Sequence, residues 1–127
     1  MKYFMKLVIA LSLFSAVMTA NAVELPFTQA EYKRLNDEGK TYVVHVGAKS
    51  CGTCQQQRNI ASKVLAEDGF EGVTMLKVDF DSQKDVLKQL NVMHRSTFVL
   101  IAQGKELERM IGGTDKAAIT SLLKKAR

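Results

Sequence analysis

The only two cysteines of the chain stand two residues apart, as Cys51 and Cys54 in the tetrapeptide Cys-Gly-Thr-Cys. An apolar, strand-like run at 41–47 precedes them, and a helix-like run at 55–68 follows. A C-x-x-C pair at a strand-to-helix junction is typical of redox-active dithiols, whereas the same spacing alone carries little information. The position of this pair therefore constrains both the fold and the chemistry of the chain.

The helix start gives the two cysteines different roles. A cysteine in the first helical turn lies beside unpaired backbone N–H groups and the positive end of the helix dipole, which favour its thiolate. Because the thiolate is the attacking species, we expect Cys51 to be the nucleophile. Cys54, one turn further on, can resolve a mixed disulfide on Cys51. Gly52 and Thr53 are small, so they leave room for a substrate disulfide.

Two structural interpretations of the pair compete with redox activity. A disulfide that closes so short a loop removes little conformational entropy from the unfolded chain, so a structural staple is disfavoured. A closed zinc site needs four ligands, and the chain has no second cysteine pair. Redox chemistry is therefore the favoured interpretation.

The first 22 residues have the pattern of a targeting segment. Two lysines precede an apolar run at 7–18, and an A-x-A cleavage pattern ends at Ala22. The run is about a dozen residues, shorter than the ~20 that span a bilayer, so an uncleaved anchor is the less favoured alternative. We expect a secretory signal peptide at 1–22, one domain at 23–127, and a periplasmic or secreted location.

Charge and location bear on the partners of the mature chain. Removal of Lys2 and Lys6 with the signal peptide lowers the formal charge from +5 to +3. The remaining basic residues alternate with acidic ones, which is typical of solvated helix faces and not of a nucleic-acid patch. Two cysteines in an oxidising compartment become oxidised unless a donor reduces them. We therefore expect a redox partner and no nucleic acid.

The hydrophobic pattern predicts the element order βαβαβαββα. Strands are expected at 23–25, 42–46, 73–80, 97–102 and 107–111, with a hairpin between the last two. Helix caps are expected at Thr28, at Ser82, and at Thr114 or Asp115. The predicted fold class is α/β: a central mixed sheet of four to five strands with helices on both faces, ending in a β-hairpin and a C-terminal helix.

The chain resembles the thioredoxins over essentially all of residues 23–127. The matching segments are the strand 42–46, the pentapeptide Ser-Cys-Gly-Thr-Cys at 50–54 in place of W-C-G-P-C, Lys-Val-Asp-Phe-Asp at 77–81, and the hairpin 97–107. This resemblance implies a thioredoxin-like fold and dithiol–disulfide exchange. It also implies that the cysteine pair is the redox group and that no cofactor is bound.

The chain departs from the thioredoxins at a loop that faces the dithiol. Ser96 stands where the family has a cis-proline, and a non-proline cis bond costs about 2.5 to 4 kcal/mol. We therefore expect a trans Arg95–Ser96 bond, or a strained one if it is cis, with the loop still over the sulfurs. The resemblance places Arg95, Ser96 and Thr97 in the substrate groove. There the charge of Arg95 would favour the Cys51 thiolate, unless Arg95 is an ordinary surface residue.

A second departure is His45. It stands where the thioredoxins, which this chain resembles, have a buried aspartate beside the resolving cysteine. A neutral imidazole can accept a proton near neutrality, and a charged one would stabilise a thiolate. The competing interpretation is a core histidine bonded to the backbone. His45 is therefore a candidate catalytic residue.

These features favour an extracytoplasmic thiol–disulfide oxidoreductase, expected as a monomer. The Gly-Thr dipeptide and the small domain, which lacks the inserted helical domain of DsbA-like oxidases, favour a reductase. A membrane thiol transporter of the DsbD/CcdA kind would supply electrons, and exported proteins would receive them. The alternative is copper or zinc binding by Cys51, Cys54 and His94, because thiolates and imidazole suit both metals. An interaction module with an inert disulfide is a third hypothesis.

Overall fold

The computed structural model describes residues 21–127. The predicted signal peptide lies almost wholly outside this range, so it stays a prediction. No helix within 21–127 is long and apolar enough to cross a bilayer.

Five strands form one mixed sheet in the order β1-β3-β2-β4-β5. Their bounds are β1 (Val23–Pro26), β2 (Thr41–Gly47), β3 (Thr74–Asp79), β4 (Thr97–Ala102) and β5 (Lys105–Ile111). β3 pairs in parallel with both β1 and β2, whereas β4 pairs antiparallel with both β2 and β5. The predicted mixed sheet and terminal hairpin are confirmed.

Within residues 21–127 there are four helices in the predicted order, of which three connect strands and the last follows β5. Their bounds are α1 (Gln29–Asp37), α2 (Gly52–Leu65), α3 (Lys84–Gln89) and α4 (Lys116–Lys124). The side chain of Thr28 caps α1 by accepting from the Glu31 N–H, and that of Asp115 caps α4 by accepting from the Ala117 N–H, each at 3.1 Å. The cap predicted at Ser82 is wrong. Its hydroxyl donates instead to the Asp79 carboxylate at 2.6 Å, and α3 begins only after Gln83, without a side-chain cap bond.

Helices cover both faces of the sheet, so β2 is buried on both sides. Val43 packs into the cluster that contains the apolar faces of α2 and α4. Its neighbours Tyr42 and Val44 pack into the cluster that contains α1 and α3. Because successive side chains of a strand point to opposite faces, the continuous apolar run of β2 fits this central position. The strand delivers the chain through a short loop to the start of α2.

Candidate active site

The cysteine pair lies at the N-terminus of α2 and is joined by a disulfide. Cys51 is the N-cap residue, and its Sγ accepts a hydrogen bond from the Cys54 N–H at 3.2 Å. Cys51 is half-buried, whereas Cys54 is only 2% exposed. Solvent and substrate therefore reach Cys51 first, and the bond from the helix N–H would stabilise negative charge on its sulfur. This geometry suits the predicted roles of nucleophile and resolving thiol.

The loop containing Ser96 lies directly over the disulfide. The Ser96 Oγ is 3.3 Å from the Cys51 Sγ and 3.2 Å from the Cys54 Sγ. No peptide bond within 21–127 is cis, so the expected trans Arg95–Ser96 bond is confirmed. Ser96 has a φ of 56°, in the left-handed region that non-glycine residues seldom adopt. The loop therefore replaces a cis-proline with a serine that presents its hydroxyl to both sulfurs.

The carboxamide of Gln57 holds this loop from the inside of the protein. Its Nε2 donates to the carbonyl oxygens of Ser96 at 3.0 Å and Gly113 at 2.8 Å, and the Ser96 carbonyl also accepts from the Gly112 N–H at 2.8 Å. Because both amide hydrogens go to carbonyl groups, the Gln57 Oε1 must act as the acceptor for His45 Nε2, which lies 2.9 Å away. The proton of neutral His45 therefore resides on Nε2.

His45 is fully buried and neutral near pH 7. Burial lowers the pKa of His45 to about 4, helped by the positive charge of Arg58 and opposed by the hydrogen bond to Gln57. The Arg58 Nη2 lies 3.4 Å from Nδ1, and the ring packs against Phe98 with 4.5 Å between ring centroids. His45 thus supplies no positive charge to a thiolate. Both of its ring nitrogens have partners other than sulfur, so its role as proton acceptor stays a prediction.

Gly47 separates the His45 ring from Cys54. A Cβ atom at Gly47 would lie 2.9 Å from the Arg58 Nη2, 3.3 Å from the His45 Cε1 and 3.4 Å from the Cys54 Cβ. Only glycine therefore allows these three side chains to converge without displacement. This close approach explains why glycine ends β2 just before the active-site loop.

The remaining predicted groove residues differ in their surroundings. Gly52 and Thr53 are exposed in the first turn of α2, as a substrate-facing position requires. Arg95 pairs with the Asp81 carboxylate at 2.8 Å and lies 4.9 Å from the centre of the Phe80 ring, so Asp81 compensates its charge.

The prediction that Thr97 lies in the substrate groove is wrong, because its side chain is fully buried. Its hydroxyl instead donates to the carbonyl oxygens of the loop at 94–95.

His94 is exposed in the same loop. In the part of the chain that the structure describes, no three His, Cys, Asp or Glu side chains are grouped closely enough to hold a metal ion. The ligand set Cys51, Cys54 and His94 is therefore not assembled, and the metal alternative stays a prediction that no contact favours.

Sequence reasoning missed Gln57 and Arg58. Gln57 is fully buried, and it shares the buried face of α2 with Ala61, Val64 and Leu65 at helical spacing. A polar residue on an apolar stripe must find hydrogen-bond partners, which is the signal that would have identified it. Arg58 contacts His45 and also lines a cavity of about 570 Å³ beside the active-site loop, together with Lys49, Lys77 and Asp79. No pattern in the sequence marks Arg58.

The fold and the site together define a thiol–disulfide oxidoreductase: an accessible cysteine at a helix N-terminus, a buried resolving cysteine, and a loop over both sulfurs. The family model described as Thioredoxin matches residues 23–125. The chain belongs to the thioredoxin family.

Individual relatives agree with this assignment. Thioredoxin H2 of Arabidopsis thaliana is 39% identical over 85 residues, which are 66% of this chain and 62% of the relative. The chain thus spans less than two thirds of the length of that curated relative. The thioredoxin of Chlamydia trachomatis is 36% identical over 78 residues, covering 61% of this chain and 74% of that protein.

Solved structures share the whole fold. Trxlp from Edwardsiella tarda has a TM-score of 0.76 at 30% identity, covering 80% of this chain and 98% of its own. The thioredoxin of Fasciola hepatica has a TM-score of 0.64 at 32% identity, covering 83% of this chain and 100% of its own. Both are similar to this chain in sequence as well as in architecture.

Proposed function

We propose that the protein is an extracytoplasmic reductase of the thioredoxin family. A membrane thiol transporter of the DsbD/CcdA kind would reduce the Cys51–Cys54 disulfide, and the dithiol would then reduce disulfides in exported proteins. Residues 1–22 supply the argument for export. The family match and β1 both begin at Val23, directly after the predicted cleavage site, which supports this division of the chain.

One observation supports the proposed direction of electron flow: the groups that contact the sulfurs are neutral. Within residues 21–127 the hydrogen-bonding partners of the two sulfurs are the Cys54 N–H and the Ser96 hydroxyl, with no cationic side chain among them. Arg95, the cation expected beside Cys51, is paired with Asp81, and the guanidinium of Arg58 contacts His45. A strongly stabilised thiolate makes a strong oxidant, so a thiolate without a cationic partner suits a reductant.

Trapping tests the exchange reaction and its substrates in cells. A Cys54→Ser variant, expressed with its own leader, should accumulate mixed disulfides on Cys51 because the resolving thiol is absent. The matched control is Cys51→Ser, which should trap far less. Mass spectrometry of the partners released by reductant should identify exported proteins. Equal trapping by the two variants, or partners confined to the cytosol, would contradict the proposal.

The redox state in cells tests the electron donor. Acid quenching followed by alkylation with a thiol-reactive mass tag separates the reduced and oxidised forms of the protein. The proposal expects reduced protein in cells that have the transporter and oxidised protein in cells that lack it. It also expects the purified protein to begin at Val23. Oxidised protein in both strains would show that the transporter is not its donor.

A further inference from the structure

The Ser96 hydroxyl is the one side-chain group that contacts both sulfurs in the described part of the chain, at 3.3 Å from Cys51 and 3.2 Å from Cys54. A hydroxyl can donate one hydrogen bond and accept two, so it can accept a proton from Cys54 and donate its own to a substrate sulfur that is bonded to the Cys51 Sγ. We propose that Ser96 is a further catalytic residue, which takes the proton of Cys54 in the resolving step and passes its own to the departing sulfur.

The position of this hydroxyl is fixed by the backbone of Ser96. The residue is 7% exposed, and its carbonyl is held by the Gln57 carboxamide and the Gly112 N–H. Its φ of 56° is a conformation that costs free energy for a residue with a Cβ. Glycine would adopt this conformation more readily. Serine at this position is therefore less favourable for the backbone than glycine, but it places a hydroxyl over the two reacting sulfur atoms.

The step balances without any further reactant. In the mixed disulfide, Cys51 Sγ is bonded to a substrate sulfur and Cys54 is a thiol. The Cys54 sulfur attacks the Cys51 Sγ, the new intramolecular disulfide forms, and the electron pair of the broken bond leaves with the substrate sulfur. The Cys54 proton moves to the Ser96 Oγ while the hydroxyl hydrogen moves to the departing sulfur. The product is a substrate thiol and the Cys51–Cys54 disulfide seen in the structure.

The other candidate for the Cys54 proton is already engaged. Nε2 of His45 donates to Gln57, and Nδ1 faces the Arg58 guanidinium. Charged and titratable groups also lie on the surrounding elements. Those near the dithiol are Lys49 before it, Arg58 on α2 and His45 on β2. The others are Lys77 and Asp79 on β3, Asp81 after β3, and His94 and Arg95 beside Ser96. A substitution at position 96 changes none of them, so it isolates the hydroxyl.

The test compares Ser96→Ala with Ser96→Gly in the purified protein. Both variants lack the hydroxyl, but glycine adopts a positive φ without strain, so their difference reports the backbone effect. Reduced protein is mixed with oxidised glutathione, quenched with acid, and the glutathione adduct on Cys51 is counted by mass spectrometry. The same proteins are mixed with Ellman's disulfide, whose aromatic thiolate leaves without needing a proton. Thermal unfolding of both variants checks that they fold.

The proposal expects both variants to resolve the glutathione adduct at least about tenfold more slowly than the unaltered protein. The slowing should be clearly smaller with Ellman's disulfide. A solvent deuterium isotope effect on glutathione release should be present in the unaltered protein and reduced in the variants. The proposal is overturned by unaltered resolution in both variants, by equal slowing with the two disulfides, or by a defect in Ser96→Ala that Ser96→Gly does not share. It concerns the exchange step itself and holds for either direction of electron flow in the cell.

Discussion

His45 and Gln57 form a buried hydrogen bond of 2.9 Å between Nε2 and Oε1, linking β2 to α2 behind the dithiol. Gln57 extends this bond to the carbonyl group of Ser96, whose hydroxyl contacts both sulfurs. The groups that link His45 to the two sulfurs by hydrogen bonds are thus neutral, and the cation beside them, Arg58, faces the other ring nitrogen of His45. Each of the following predictions changes one part of that arrangement.

The first prediction concerns acid stability. Burial holds the pKa of His45 at about 4, whereas an unfolded histidine has a pKa of about 6.5. As pH falls from 6.5 towards 4, the unfolded chain takes up a proton at His45 that the folded protein does not. The contribution of His45 should therefore lower the free energy of unfolding by about 3 kcal/mol across this window, and this contribution should level off below about pH 4. Urea unfolding at several pH values measures this slope.

The control for this prediction is His45→Gln, which removes the titrating group. Hydrogen bonds from the Ser82 hydroxyl and the Asp81 N–H hold the pKa of Asp79 below its ordinary value of 3.8, so Asp79 titrates below the window. The variant should be less stable at pH 7 but should lose much of the slope between pH 4 and 6.5. The same slope in both proteins would mean that His45 is not the group responsible.

The second prediction is that Gln57→Leu destabilises the fold. The substitution leaves the His45 Nε2–H and the Gly113 carbonyl without their partners, and a buried unsatisfied group costs about 1 to 3 kcal/mol. We expect a loss of about 3 kcal/mol in chemical unfolding. Gln56→Leu is the matched control on the same helix, because Gln56 is exposed and should change stability by no more than about 0.5 kcal/mol. Equal effects of the two substitutions would refute this role of Gln57.

The third prediction uses two glycines that flank the active-site loop. Gly47→Ala should cost about 1 to 2 kcal/mol, because the new methyl group meets Arg58, His45 and Cys54. Gly52→Ala should be neutral or stabilising by about 0.5 kcal/mol, since no atom lies within 4 Å of the added Cβ and alanine favours the helix. Thermal unfolding of the oxidised proteins compares them. A Gly47→Ala protein as stable as the unaltered one would show that the three side chains need no such close approach.

Sequence patterns were sufficient to predict the strands and helices whose apolar residues are regularly spaced. The order of strands and helices followed from these patterns, but β5 begins at Lys105, two residues before its predicted start. Lys105 and Glu106 are exposed on an edge strand, so backbone pairing with β4 includes them although no apolar alternation marks them. Ser82 likewise resembles a cap, but a carboxylate three residues earlier competes for its hydroxyl.

The candidate site was predictable where local spacing determines it. The C-x-x-C motif identified Cys51 and Cys54 as the redox pair, and the resemblance to the thioredoxins placed Ser96 opposite them. The contacts that set the electrostatics join residues far apart in sequence, such as Arg95 with Asp81 and Gln57 with Gly113. No local pattern encodes such pairs, which is why the expected effect of Arg95 on the Cys51 thiolate did not include its carboxylate partner.

The most direct test of the proposed reductase is the reduction potential of the Cys51–Cys54 pair. The purified protein is equilibrated in glutathione or dithiothreitol buffers of known potential, and the reduced fraction is measured by alkylation. A thiolate without a cationic partner should give a value near that of thioredoxin, about −270 mV. A value near −120 mV, as in a strong oxidant, would mean that the reduced form is far more stable than these contacts allow and would contradict the proposed direction of electron flow.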